Sequence, residues 1–149
     1  MELEFAFEVR LLLGTRLHFP ISGGGERGFV PVVGGEFKGP RIEGVVLPGG
    51  GDWPYIRQDG VVEFDARYLL QASDGTHIYL RNRGFRHAPP EIAEKMEACE
   101  PVDPESYYFR VSPVFEVPAG PHDWLSRMVF VGRADRRTDH SLFQYFVVR

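Results

Sequence analysis

The chain has 149 residues, 43% hydrophobic and 26% charged, with a formal net charge of −4. That is room for one folded domain with a real core, and residues 1–149 are read as a single domain. The acidic balance argues against nucleic acid as a partner, since binders of polyanions carry a basic excess. One cysteine, Cys99, leaves no intrachain disulfide framework and points to a reducing compartment. The opening MELEFAFEVRL lacks the basic and apolar regions of a signal peptide, and no stretch approaches the roughly 18 apolar residues of a membrane-spanning helix. A cytoplasmic location is expected.

Residues 3–12 alternate, with Leu3, Phe5, Phe7, Val9 and Leu11 on one face, the period of a half-buried strand. Residues 14–28 contain Pro20 and Gly23-Gly24-Gly25 and read as a mobile loop. Strands are predicted at 29–33, 36–38 and 41–47, separated by Gly34-Gly35 and Gly39-Pro40. Gly49-Gly50-Gly51 then forms a loop that delivers Asp52 and Trp53 to a fixed place, because glycine permits sharp turns and close backbone approach. Asp59-Gly60 turns into a strand over 61–71. Ser73-Asp74-Gly75 closes a hairpin onto 76–83. Of two registers, the three-residue loop with Gly75 left-handed is preferred, because it sets Leu70 opposite Ile78 and Tyr68 opposite Leu80.

Pro90 suits the first position of a helix over 90–99, with Ile92, Met96 and Cys99 as its apolar stripe. Strands resume at 107–117, 127–134 and 142–148, with a loop over 118–124. Eight or nine strands joined by tight turns, with one short helix, define an all-β chain: a single antiparallel barrel, with a flat two-sheet sandwich as the alternative. Bulky residues on both strand faces, such as Phe109 and Phe115 against Tyr108 and Val114, call for a covered outer surface and hence a homo-oligomer.

No GxGxxG, P-loop, HExxH, CxxC or GxSxG pattern occurs, and the five histidines show no metal-ligand spacing. No cofactor or metal is expected, and Cys99 reads as core. The chosen hairpin register puts Asp65, Arg67, Tyr79, Arg81 and Arg83 on one face, to which Asp52, Trp53, Arg110, Trp124 and Arg127 can be added across the fold. If that face lines a cavity, arginines hold a carboxylate ionised and bind an oxyanion, while aromatics wall a ring-bearing ligand. The same alternation also describes an ordinary solvated sheet face. In that case the site lies on the opposite face, around Tyr68, Phe109 and the Asp52 loop.

Several motifs recur together: Gly35-Glu36-Phe37, Leu47-Pro48-Gly49-Gly50, Asp52-Trp53, Asp65-Ala66-Arg67-Tyr68, Asn82-Arg83-Gly84, Tyr107-Tyr108-Phe109-Arg110, and Trp124-Leu125 before Phe130-Val131-Gly132. In that order they make the whole chain resemble the domain-of-unknown-function 3237 family of small β-barrel proteins. The resemblance implies an oligomeric antiparallel barrel without an obligatory cofactor, and no established activity.

Two functions are carried forward. In the first, a cofactor-independent acid–base enzyme of isomerase, cyclase or lyase type acts on a small, partly aromatic or carbonyl-bearing metabolite. Asp65 or Asp52 moves the proton and Arg67 stabilises charge. In the second, the barrel is a non-catalytic carrier or sensor. Trp53, Tyr68, Tyr79, Arg81, Phe109, Arg110, Trp124 and Arg127 are the candidate ligand contacts for either.

Overall fold

A computed structural model describes residues 1–149. Alternating apolar residues build eleven strands: β1 (Leu3–Leu13), β2 (Leu17–Pro20), β3 (Glu26–Lys38), β4 (Glu43–Val46), β5 (Gly51–Asp52), β6 (Tyr55–Ile56), β7 (Val62–Ala72), β8 (His77–His87), β9 (Tyr108–Glu116), β10 (Phe130–Arg136) and β11 (His140–Val148). One helix, α1 (Pro90–Glu97), separates β8 from β9. Hydrogen bonding runs β1-β11-β10-β9-β8-β7-β4-β3, and β3 pairs back onto β1, so eight antiparallel strands close a barrel. The barrel leaves only short strand edges uncovered.

Inward residues follow the period of two. Ala66, Tyr68, Leu70 and Ala72 of β7 face Ile78, Leu80 and Asn82 of β8 across the lumen side, and Phe109, Val111, Pro113 and Phe115 continue the lining on β9. The β7–β8 hairpin has the expected register: Leu70 opposes Ile78 and Tyr68 opposes Leu80, with Gly75 at φ +92°. Far from the helix, the 3-10 turn Asp123–Ser126 drops Leu125 into the core and packs Trp124 on Phe130 at 5.9 Å, closing that end.

One stave of the barrel is shared. β4 is only four residues long, so β5 and β6 take over its place between β3 and β7 toward the opposite end. Gly49 and Gly50 turn the chain from β4 into β5 with φ of +110° and +69°. A Cβ at Gly50 would collide with the Arg67 carbonyl, so this close approach needs glycine.

Four readings from the sequence change. Residues 26–38 form one strand, not two; Gly34-Gly35 sit within it and reverse its phase, so that Val32 and Phe37 both point inward. Residues 17–20, expected in a loop, pair with β3 as β2. A bulge between Phe5 and Phe7 puts Leu3 and Phe5 on the outside, 61% and 40% exposed, while Phe7, Val9 and Leu11 stay buried. Extra residues in one strand flip the face of everything beyond them. Cys99 is exposed rather than core, because α1 ends at Glu97 and the chain turns left-handed at Cys99, φ +57°.

Candidate active site at the barrel mouth

The end of the barrel beside α1 holds a cavity of about 100 Å³. Its walls are Phe64, Phe109 and Phe143 with Val30 and Ile56, and its polar lining is Asp52, Asn82, Arg86, Arg136, Arg16 and His18. Pairing explains the position of Asp52. It lies between Val30 on β3 and Ala66 on β7, both of which line the cavity, so its side chain shares their face. Its neighbour Trp53 must then face outward, where it is 40% exposed and packs on Phe29 at 5.0 Å.

The Asp52 carboxylate accepts a hydrogen bond from the Asp65 backbone N–H at 3.1 Å. Protein atoms crowd the group although it still meets solvent through the mouth, and this desolvation pushes its pKa up from 3.8 to about 7. The Asp65 N–H and the positive charge of Arg86 resist that rise without cancelling it. At neutral pH the group therefore stands between its acid and base forms.

Arg86 lies against the Phe64–Phe109 pair, with its guanidinium carbon 5.3 and 5.6 Å from the two ring centroids. Those rings are themselves stacked at 4.8 Å. Burial, then the charges of Arg136 and Arg16, lower its pKa to about 9, so it stays cationic at pH 7. Arg136 is held by a bond from Nη1 to the Met96 carbonyl of α1 at 3.0 Å and by its backbone N–H to the Tyr107 hydroxyl. Deeper in, the Asn82 amide nitrogen donates to the Tyr145 hydroxyl at 3.0 Å. The Asn82 Oδ1 is buried without a protein partner, and burial raises the pKa of both Tyr68 and Tyr145 above the ordinary value.

Of the residues singled out from the sequence, Asp52 and Phe109 line this cavity. Tyr68 is buried and its hydroxyl feels the Asp52 charge. The structure does not bring the others there. Asp65, Arg67 and Arg81 lie on the outer face of β7 and β8, where Asp65 meets Arg81 at 3.4 Å and Arg67 at 3.8 Å as half-exposed pairs. Tyr79, opposite Leu69 and Glu116, shares that outer face. Arg110 covers Tyr108 on the outside, Trp124 is at the closed end beneath Arg41, and Arg127 is a surface partner of Asp123.

Arg86, Arg136, Arg16 and His18 are not singled out by the sequence, and Asn82 enters there only within a family motif. A signal exists for two of them. Extending the predicted strands by two or three residues carries the inward phase of Ile78, Leu80 and Asn82 to Arg86, and that of Phe130, Gly132 and Ala134 to Arg136. No cluster of three or more His, Cys, Asp or Glu side chains is placed to hold a metal ion.

Fold and site together define a closed antiparallel β-barrel with an acid–guanidinium cavity in one mouth. The model of the family described as "Protein of unknown function (DUF3237)" matches residues 1–148, and the chain belongs to that family. It is 37% identical over 139 residues to a UPF0311 protein of Rhodopseudomonas palustris, covering 93% of this chain and 91% of the relative. The crystal structure of a conserved protein of unknown function from the same species superposes with a TM-score of 0.94, at 36% identity, covering 99% of this chain and 97% of that one. A shorter match, 34% identical over 76 residues and spanning 51% of this chain and 50% of the relative, is to a protein of Penicillium herquei named hydroalkoxylation enzyme phnH.

Proposed function

We propose that the chain is an acid–base enzyme that adds an alcohol or phenol O–H across an activated C=C bond of a small, partly aromatic metabolite. The observation that carries this reading is the presence of Asp52 and Arg86 in one aromatic-walled cavity, one group poised to exchange a proton and the other to hold negative charge. In the forward direction the substrate hydroxyl loses its proton to the Asp52 carboxylate as its oxygen bonds to the alkene carbon. The π electrons move onto a conjugated carbonyl, whose developing oxyanion faces Arg86. Asp52 then returns the proton to the neighbouring carbon. Atoms and charge balance within the substrate, so the step needs proton transfer and charge stabilisation alone. The name of the Penicillium relative supports this reaction class.

This reading assigns proton transfer to Asp52, with Asp65 contributing a backbone N–H rather than its carboxylate. The carrier alternative has less support. A carrier of apolar ligands is served by an apolar lumen with few polar groups, whereas this cavity is lined by Asp52 and three guanidiniums. The expected homo-oligomer finds support in the outer apolar residues Leu3, Phe5, Phe85 and Tyr108, all at least 40% exposed.

The test is a mass-spectrometric screen of phenols and alcohols that carry an enone, run with wild type and Asp52→Asn. Isomerisation of at least one compound to its cyclic ether by wild type, lost in Asp52→Asn, is expected. A conversion that survives Asp52→Asn, or binding of these compounds with no conversion of any, overturns the proposal.

A further inference from the structure

Three arginines converge on the cavity at the mouth without a carboxylate bound to any of them. Arg57, Arg81, Arg127 and Arg149 each meet a carboxylate within 4 Å. Arg16, Arg86 and Arg136 line one cavity, repel one another, and form no ion pair. The facing groups from the surrounding strands are Asp52 on β5 and His18 on β2. His18 is already turned to Glu26 at 3.1 Å, which leaves Asp52 as the one carboxylate lining the cavity with three guanidiniums, while Glu97 of α1 acts on Arg136 from outside the lining. Arg86 and Arg136 are half-buried, and such cations are costly unless something neutralises them.

We propose that this mouth binds a small aromatic anion, a carboxylate or phenolate whose charged oxygens dock among Arg16, Arg86 and Arg136 while its ring lies against Phe64, Phe109 and Phe143. The proposal deepens the acid–base reading, resting on the same cavity and naming the charge class of its substrate. Two further features fit it. Planar guanidiniums offer paired N–H groups that match a carboxylate's two oxygens. Arg136 and Arg86 are also pre-positioned, one by the Met96 carbonyl and the Tyr107 hydroxyl, the other by two stacked rings, so little order is lost on binding. The small volume admits a head group and directs the remainder of the ligand outward past α1.

The test compares sodium benzoate with benzyl alcohol, its neutral counterpart, by calorimetry or NMR titration of the full chain. Benzoate is expected to bind at least about tenfold more tightly, with an affinity that falls as salt is added. Arg136→Gln and Arg16→Gln are each expected to weaken benzoate about tenfold and leave benzyl alcohol unchanged, the loss of one charge-assisted contact. Arg16 is exposed, so its substitution leaves folding intact and keeps the test decisive should Arg136→Gln fail to fold. Asp52→Asn is expected to tighten benzoate above pH 7, because it removes the competing negative charge. Equal affinity for the two probes, or undiminished benzoate binding by Arg16→Gln, overturns the anion site. If benzoate behaves as stated while no enone alcohol is converted, the anion site stands and the addition chemistry falls. If Asp52-dependent turnover of a neutral substrate occurs without benzoate preference, the addition chemistry stands and the anion site falls.

Discussion

Replacing Asp52 by Asn is expected to make the protein more stable, and only above mildly acidic pH. Burial raises the Asp52 pKa from 3.8 to about 7. Between those values the folded state binds more protons than the unfolded chain, so stability falls as pH rises from about 4 to about 7 and is level above that. Each pKa unit is worth about 1.4 kcal/mol, which sets a ceiling near 4 kcal/mol at pH 8. Because the carboxyl still meets solvent through the mouth, roughly 2–4 kcal/mol is the expected gain. Asn keeps the shape and can accept the Asp65 N–H through its amide oxygen, so at pH 4 the variant should match wild type. For a chain of this size the gain corresponds to roughly 5–15 °C in Tm at pH 8. Urea unfolding of both proteins at several pH values, followed by circular dichroism, makes the measurement. A stability difference that does not vary with pH would refute the buried-carboxylate argument.

Three further outcomes are expected. Gly50→Ala should cost at least about 2 kcal/mol in urea unfolding, because a left-handed φ and the Arg67 carbonyl both oppose a Cβ; a neutral change would show that β5 can shift at little cost. Asp65→Asn should change stability by less than about 0.5 kcal/mol and leave turnover close to wild type, since it breaks only half-exposed ion pairs. Loss of turnover in that variant would return the proton transfer to the outer face. Phe85→Glu should shift the protein to a smaller species in size-exclusion chromatography with light scattering, since Phe85 is 48% exposed on the apolar outer surface; a monomeric wild type would dismiss the covered face.

The barrel was legible where chemistry alternates without interruption. Leu70, Tyr68, Ile78 and Leu80 were enough to set the register of β7 against β8, because a shift by one residue would have put Leu70 and Tyr68 on the opposite face from Ile78 and Leu80. Which face of β7 lines the lumen was harder to read, since Asp65 and Arg67 on one side and Tyr68 on the other both carry plausible site chemistry. The bulge at Ala6 and the phase change at Gly34-Gly35 are backbone events with no side-chain period of their own. Arg86 and Arg136 stayed hidden for a related reason. Charged residues near a strand's end look like the start of a loop, although the inward phase continues through them. Asp52 was found from its glycines, which marked a place where the backbone had to come close to something.

The pairing of β1 with β3 and with β11 also governs how the molecule forms. Leu3 lies opposite Val148, and Leu11 lies opposite both Gly35 and Ser141. Contacts so distant along the chain make for slow folding, since a large loop must close before they reward it. The β7–β8 hairpin is local and can form early, whereas the cavity needs Leu11 and Ser141 from the two late-meeting strands. The cavity is thus incomplete in a nascent chain until β11 has been made and has paired with β1.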